Sequence, residues 1–229
     1  MKTRFLIVIF LLLYNLGNSQ VLSFRPGQMY HHSKTITPVI GQIRQFDNVN
    51  YFSINYNHFI EERKIQLGIN YSFFSGWTWF NVNTNYWRGN GSSNTSISRV
   101  ALTGGYSIIN RHRLKVIPQM RIIFERAKAT NSLSQRVYID SRVDKRYEGP
   151  ISLLPLNSFQ ILPALGVDLD WNFWWRLHFV YSTYYAWGHK PFQKYYFEYT
   201  YDGVPQPTAE WHSDGTGWFF SVGLGITMF

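Results

Sequence analysis

The chain closes with TGWFFSVGLGITMF, residues 216–229, in which every second residue from Trp218 to Met228 is apolar. The residues between them include Ser221 and Thr227. Successive side chains of a β-strand point to opposite faces of the sheet, so this alternation predicts a strand with one apolar face and one polar face. The most regular strand of the chain is therefore predicted to lie at its very end.

The same alternation recurs along the chain, and three pairs of predicted strands are joined by short turns. The turns are EERK (61–64), NRHR (110–113) and DWN (170–172). Longer segments separate the pairs, at 77–97, 127–157 and 188–215. Short turns at one end and long loops at the other are the arrangement of an outer-membrane barrel. The seven predicted strands are 49–60, 65–76, 98–109, 113–126, 158–169, 173–187 and 216–228.

Bacterial single-chain barrels have an even number of strands, so an eighth strand is predicted in residues 28–48, mostly within 28–45. The fold class is then all-β, a closed antiparallel transmembrane barrel with short periplasmic turns and long extracellular loops. Closing the sheet pairs the last strand with the first and removes both exposed edges. The segment 192–201 is interpreted as the rising arm of a long outer hairpin; a membrane crossing there would change the strand count.

The composition agrees with a membrane barrel and excludes several kinds of site. Charged residues make up 15 % of the 229 residues and aromatic residues 19 %, whereas a soluble domain has about 25 % charged residues. The absence of cysteine excludes disulfides and thiolate sites. The net charge of +9 is interpreted as attraction to lipopolysaccharide, not nucleic acid, because no nucleic-acid motif is evident. No cofactor and no metal site are predicted, although His31 and His32 are adjacent.

Residues 1–19 are predicted to be a signal peptide and residues 20–229 the barrel. A basic start is followed by an apolar stretch from Phe5 to Leu13 and by small residues at Gly17 and Ser19, which is the layout of a secretory signal. The apolar stretch is short for a spanning helix of about 20 residues. An uncleaved N-terminal anchor is the alternative. The expected location is the outer membrane of a Gram-negative bacterium.

Over about residues 28–229 the chain resembles the small outer-membrane β-barrel proteins of Gram-negative bacteria, the OmpA/OmpX-like eight-stranded class. The resemblance implies contact with outer-membrane lipid and lipopolysaccharide. It also implies that Phe229 is the signal read by the barrel-assembly machinery, although Phe229 is out of phase with the apolar face of the last strand. The Tyr/Asn-rich strands resemble proteins of the Bacteroidota.

Two sets of side chains are predicted from the phase of the strands. Aromatic residues should form girdles at the two membrane interfaces: Trp77, Trp79, Trp187 and Trp218 at the outer rim, and Trp171, Phe173 and Trp175 at the periplasmic rim. A polar network should fill the lumen, because an eight-stranded barrel has room for side chains only. Its predicted members are Arg99, Lys115, Arg121, Glu125, Asp168, Arg176 and His178, and His178 is expected to be hydrogen-bonded there rather than catalytic.

The outer loops are the predicted functional surface. Loop 127–157 is basic and loop 188–215 is aromatic and acidic, so the two are expected to pack on each other. They would then either bind a protein or glycan partner or form a self-packed cap. A non-enzymatic barrel, structural or an accessory subunit of a larger envelope complex, is the preferred function. The alternatives are a lipid A-modifying acyl hydrolase or transferase that uses His212, Ser213 and Asp214, and a narrow pore.

Overall fold

The computed structural model describes residues 19–37, 46–83, 88–111, 113–129, 132–140, 145–155, 158–191 and 193–228. Nearly all of these residues lie in strands. The strands are β1 (Ser19–Thr37), β2 (Phe46–Ile60), β3 (Ile65–Asn83), β4 (Arg88–Tyr106), β5 (Ile109–Arg111), β6 (Leu114–Ala129), β7 (Ser132–Asp140), β8 (Lys145–Pro155), β9 (Ser158–Trp174), β10 (Leu177–Ala186), β11 (Gln193–Phe197), β12 (Thr200–Tyr201), β13 (Val204–Pro205) and β14 (Ala209–Thr227). A 3-10 turn at Glu61–Arg63 joins β2 to β3.

Eight of these strands form a closed antiparallel barrel. Their order is β1-β2-β3-β4-β6-β9-β10-β14, and β14 pairs with β1 to complete the ring. The closing register runs from Val21 opposite Thr227 to Tyr30 opposite Trp218 and beyond. The predicted closed eight-stranded barrel is confirmed, and the final strand closes it as expected.

The barrel wall is apolar on its outer face, the reverse of a soluble protein, and its interior holds polar side chains together with an apolar cluster around Tyr51, Phe74 and Phe219. Along β3, Leu67, Ile69 and Tyr71 point outward and are each nearly half exposed, whereas the alternating Asn70 and Ser72 are buried. An apolar outer face with a polar interior is the pattern of a barrel that contacts lipid. None of the described residues forms a helix long and apolar enough to cross a membrane.

The first strand lies earlier than predicted. It runs from Ser19 to Thr37, whereas the sequence pattern placed it in 28–48. Pro26 and Gly27, which weaken a strand, lie near its middle, and the pairing with β14 omits Arg25 and Pro26 while the pairing with β2 is continuous. The continuous pairing with β2 therefore keeps β1 in the sheet at Pro26 and Gly27, where the sequence pattern of a strand is interrupted.

The turn between β9 and β10 also differs from the prediction. The sequence pattern placed it at 170–172, but β9 continues to Trp174 and the turn lies at Trp175 and Arg176. Trp175 has a φ of 43°, and the register with β10 shifts between Leu177 and His178. The polar residues Asp170 and Asn172 remain paired in the strand because their side chains face the interior end of the barrel.

The long loops continue the barrel wall as paired strands. β11 pairs with the outer end of β14 and with β8, β7 pairs with β8, and β12 pairs with β8 and β13. We call β7, β8, β11, β12, β13 and residues 209–213 of β14 the outer sheet. Because β11 follows β10 in the same direction along β14, residues 193–201 form a rising arm, as predicted for segment 192–201. Residues 77–83 and 88–94 likewise extend the β3–β4 hairpin.

Candidate functional site

Asp168 lies inside the barrel between two arginines. Arg25 Nη1 is 3.3 Å from Asp168 Oδ2, and Arg121 Nη2 is 2.9 Å from Asp168 Oδ1. Arg121 Nη2 also donates to the hydroxyl of Ser182 at 2.5 Å, and Arg25 Nε donates to Ser23 Oγ at 2.9 Å. The inward positions of β1, β6, β9 and β10 bring these groups together, so four strands meet at a single carboxylate.

A second carboxylate, Glu125, lies nearer the outer end of the barrel. The guanidinium of Arg99 forms an ion pair with it, and Gln160 Nε2 donates to Glu125 Oε1 at 2.7 Å. Gln160 also donates to the backbone carbonyl of Asp214 at 2.8 Å. The side chains of β4, β6 and β9 are thereby tied to the β14 backbone.

Two stacked aromatic rings connect the two ionic groups. Arg99 Cζ lies 4.4 Å from the centre of the Phe219 ring, and Arg121 Cζ lies 4.1 Å from the centre of the Tyr184 ring. The two rings are stacked with centres 4.6 Å apart and planes 1° apart. Cations favour the faces of aromatic rings. We call this continuous set the interior column: Glu125, Arg99, Phe219, Tyr184, Arg121, Asp168 and Arg25.

The interior column places ion pairs inside the lumen, beside a buried apolar cluster that includes Phe74, Ile97 and Leu162. Its three guanidiniums and two carboxylates are all buried, and a buried ion is tolerated only when it is paired and hydrogen-bonded. The column has one more guanidinium than it has carboxylates, and the faces of the aromatic rings stabilise this additional positive charge. The interior of an eight-stranded barrel has room for side chains only.

Aromatic residues cluster on the outside at both ends of the barrel. Trp187 and Trp218 each contact the ring of Tyr185 edge-on, with centres 5.1 and 5.2 Å apart. At the short-turn end, Trp171, Phe173 and Trp175 are exposed, and so is Trp174, which the sequence pattern did not single out. Amphipathic rings at two levels are typical of the two interfaces of a membrane. Trp77 and Trp79 lie in β3, but their side chains and all of Phe229 fall outside the described part of the chain.

The closed sheet and its lipid-facing apolar belt decide the class of protein. The chain is a small barrel of the outer-membrane type. No protein-family model matches it, and no curated protein matches it.

Several solved barrels resemble it at low identity. A major outer membrane protein from Thermus thermophilus is 11 % identical with a TM-score of 0.49, over 92 % of this chain and 99 % of that chain. Neisserial surface protein A is 9 % identical with a TM-score of 0.41, over 90 % and 97 %. The attachment invasion locus protein Ail of Yersinia pestis is 12 % identical with a TM-score of 0.38, over 91 % and 99 %.

The structure divides the predicted lumen residues of this barrel into three groups. Arg99, Arg121, Glu125 and Asp168 belong to the interior column. Lys115 and His178 lie at the short-turn end, where Lys115 Nζ is 2.7 Å from Glu61 Oε1. Arg176 lies exposed in the β9–β10 turn at the same end, since the strand begins only at Leu177.

Arg25 was missed by the sequence analysis, although it contacts the central carboxylate. The first strand was predicted to begin at residue 28, so residues 19–27 were not assigned a phase. The alternation of Ser23, Arg25 and Gly27 with Phe24 and Pro26 is the signal that could have identified it.

His178 is held between a carboxylate and a hydroxyl. Its Nδ1 is 2.6 Å from Asp170 Oδ1, and its Nε2 is 2.6 Å from Thr227 Oγ1. These two contacts fix the orientation of the ring. Within the described residues no group of three or more His, Asp or Glu side chains could hold a metal ion, and the side chains of His31 and His32 fall outside that part.

The structure does not bring His212, Ser213 and Asp214 together in the order of a catalytic triad. His212 Nε2 lies 2.6 Å from Glu210 Oε1, and Asp214 Oδ1 accepts the backbone N–H of Thr216 at 2.9 Å. Ser213 is fully buried while its two neighbours are partly exposed, because adjacent residues of a strand face opposite sides. The histidine is thus oriented by Glu210, and the aspartate stabilises a turn.

Hydrogen bonding at the outer rim lowers the pKa of Glu210. The hydrogen bond from His212 favours the carboxylate most, and the charges of His212 and Lys194 add to the effect. Lys194 Nζ is 3.7 Å from Glu210 Oε1. Lys194 belongs to β11 and Glu210 to β14, so this small polar cluster connects two strands of the outer sheet.

Proposed function

We propose that the protein is a non-enzymatic, non-conducting barrel of the outer membrane of a Gram-negative bacterium, which displays the outer sheet as a binding platform for a protein or glycan partner. The observation that carries this proposal is the backbone pairing of loop 127–157 with loop 188–215. Residues 151–155 of β8 pair with β11, and residues 147 and 148 pair with β12. Paired loops are already ordered, so binding costs less conformational entropy than it would with free loops.

The close approach of the two loops supports a single rigid surface. Gly149 of β8 lies directly against the backbone of Glu198, and a Cβ at this position would overlap the Glu198 carbonyl. Only a residue without a side chain fits between the two segments. The two loops are therefore expected to move and to bind as one body.

The tip of the outer sheet offers an exposed apolar side chain. Asp202 and Gly203 form the β12–β13 turn with φ values of 54° and 77°, a two-residue hairpin geometry in which both positions have positive φ. The next residue, Val204, is 60 % exposed. An exposed apolar residue close to acidic Asp202 suits the centre and rim of a small interface.

The interior column supports the non-conducting part of the proposal, since its buried side chains lie across the lumen of a barrel that has room for side chains only. Export by the signal peptide at 1–19 and insertion by the barrel-assembly machinery, with Phe229 as its signal, belong to the same proposal. A role as an accessory subunit of a larger envelope complex is one form of it. The enzymatic alternative gains no support, because Ser213 is buried on the face of β14 opposite to His212.

Purification from the native outer membrane tests the proposal. The tagged wild-type protein, extracted in mild detergent, is expected to bring one partner in a fixed ratio. Val204→Glu should reduce that ratio at least about tenfold, since a buried apolar contact would be replaced by a charge. Arg63→Gln, an exposed change in the 3-10 turn at the opposite end, is the control. A partner retained equally by both variants, or no partner at all, would contradict the proposal.

A further inference from the structure

A cavity of 460 Å³ opens at the short-turn end of the barrel, at the end opposite the outer sheet. Its lining includes Arg111, Arg113, Lys115 and Arg176, together with Glu61, Asp170 and His178. Arg111 and Arg113 lie at the β5–β6 connection, and Arg176 lies at the β9–β10 connection. The closed barrel brings the two connections together at the opening of the cavity. The site is distinct from the interior column and from the outer sheet.

Both carboxylates of this lining already have partners. Glu61 Oε1 is 2.7 Å from Lys115 Nζ, and Glu61 Oε2 accepts Asn110 Nδ2 at 3.4 Å. Asp170 Oδ1 is 2.6 Å from His178 Nδ1. The lining therefore has four Lys and Arg side chains but only two carboxylates, and both carboxylates already have a hydrogen-bonded partner.

Three guanidiniums remain without an acidic partner. Among the residues that the structure describes, Arg111, Arg113 and Arg176 form no ion pair, and all three are exposed at the cavity. Arg176 is positioned over the ring of Trp175, with Cζ 4.9 Å from the ring centre. Asn172 Nδ2 donates to the Trp175 carbonyl at 3.0 Å and so stabilises the turn that holds Arg176.

We propose that this cavity binds a phosphate group. The planar guanidinium offers paired N–H donors that match phosphate oxygens, and arginine is the residue that proteins use most for this recognition. Three such groups provide a charge of +3 for a phosphate ester, which carries one negative charge as a diester and up to two as a monoester, more than a single carboxylate would need. The volume is within the range of about 300–1,000 Å³ that holds small organic ligands, so the phosphate belongs to an ester rather than to a bare ion.

The phosphate ester has two possible sources at this end of a membrane barrel. One is the head group of a phospholipid in the adjacent leaflet, which the exposed rings of Trp174 and Trp175 at the rim would contact. The other is a soluble phosphate ester that enters through the mouth. Both present the same group to the three arginines, and the experiment separates them.

The test uses the purified full-length barrel and inorganic phosphate or glycerol phosphate as probes. Calorimetric titration at constant ionic strength is expected to show saturable binding to the wild type. The triple variant Arg111→Gln, Arg113→Gln, Arg176→Gln should lower the affinity at least tenfold. Arg63→Gln removes an exposed charge from the same end without touching the cavity and should bind like the wild type.

Reconstitution then identifies the source of the phosphate. If lipid head groups occupy the site, nanodiscs that contain phosphatidylglycerol will reduce the binding of glycerol phosphate relative to nanodiscs of digalactosyldiacylglycerol, a bilayer lipid without phosphate. If the ligand is soluble, the two nanodiscs will bind it equally. Absence of saturable binding to the wild type, or equal affinity of the triple variant and Arg63→Gln, would overturn the phosphate site. Because neither probe involves the outer sheet, this outcome is independent of the proposed function.

Discussion

Asp168 is the residue on which the interior column depends, because two buried arginines share its carboxylate. In Asp168→Asn the side chain keeps its shape but Arg25 and Arg121 lose their counter-charge. Removing one partner of a buried ion pair costs about 3–5 kcal/mol, and we expect the free energy of unfolding to fall by about this amount. Urea unfolding of the barrel in lipid vesicles measures the change.

The control for this change is Asp202→Asn. Asp202 is exposed in the β12–β13 turn with a positive φ, which asparagine also adopts readily. Its effect should stay within about 0.5 kcal/mol. Equal unfolding curves for the two variants would show that Asp168 does not hold the column together.

Glu210 gives a pH-dependent prediction at the same scale. Its pKa is depressed in the folded protein, chiefly by the hydrogen bond from His212. The resulting stabilisation is present above the ordinary carboxyl pKa of 4.5 and is lost as the pH falls through the lower folded value. In His212→Gln we expect the pKa of Glu210 to move up toward the ordinary value, as followed by NMR titration of its carboxyl carbon.

Lys194→Gln is the comparison for the Glu210 titration. The charge of Lys194 contributes less to the pKa of Glu210 than the hydrogen bond from His212 does. The shift in Lys194→Gln should therefore be the smaller of the two. A larger shift in Lys194→Gln would reverse the assignment of the cause.

At the scale of the element, the joint between β1 and β14 determines whether the barrel closes. Gly27 lies in this joint, and a Cβ there would overlap the backbone carbonyl of Phe220 and the ring of Tyr51. We therefore expect Gly27→Ala to lower the free energy of unfolding by about 1–3 kcal/mol, the usual cost of overpacking. Urea unfolding in vesicles measures this cost.

Gly104→Ala is the matched control for the β1–β14 joint. A Cβ at Gly104 in β4 would meet only the Leu67 side chain, at an ordinary distance of 3.9 Å. This variant should differ from the wild type by less than about 0.5 kcal/mol. If both glycine variants lose stability equally, strand flexibility rather than the close approach of Tyr51 explains the effect at Gly27.

At the scale of the whole molecule, the interior column predicts a barrel that does not conduct ions. Wild-type protein in planar bilayers should show no single-channel steps. Replacing both stacked rings, in Tyr184→Ala with Phe219→Ala, removes the middle of the column between Arg99 and Arg121. We expect discrete conductance steps with a preference for anions, because buried guanidiniums would line the opening.

A double variant on the lipid-facing side of the same wall is the control for conductance. Val222→Ala with Leu224→Ala also truncates two strand side chains, both in β14 and both exposed on the outer face. It should stay closed. Steps in the wild type would show that the column is not a barrier and would restore the narrow-pore alternative.

The strands and most of the turns could be predicted from the sequence because their cause is local. Strand side chains alternate with a period of two, and a lipid-facing wall displays that period directly. The turn at 61–64 and the last strand follow from this rule. The rule failed at two places. Pro26 and Gly27 interrupt the alternation in β1, so the start of that strand was misplaced, and the β9–β10 turn lies at Trp175 rather than at 170–172.

The sequence by itself determined an all-β barrel with a polar interior, long outer loops and a closing C-terminal strand, since each of these follows from residues close together in the chain. Only the tertiary structure decided which charges meet. Arg25 contacts Asp168, which is 143 positions away in the chain. The same cavity is lined by Arg111, Arg113 and Arg176. Closure of the barrel and the register between its strands determine both sets of neighbours. Register is a property of the whole closed sheet, and no short stretch of sequence encodes it.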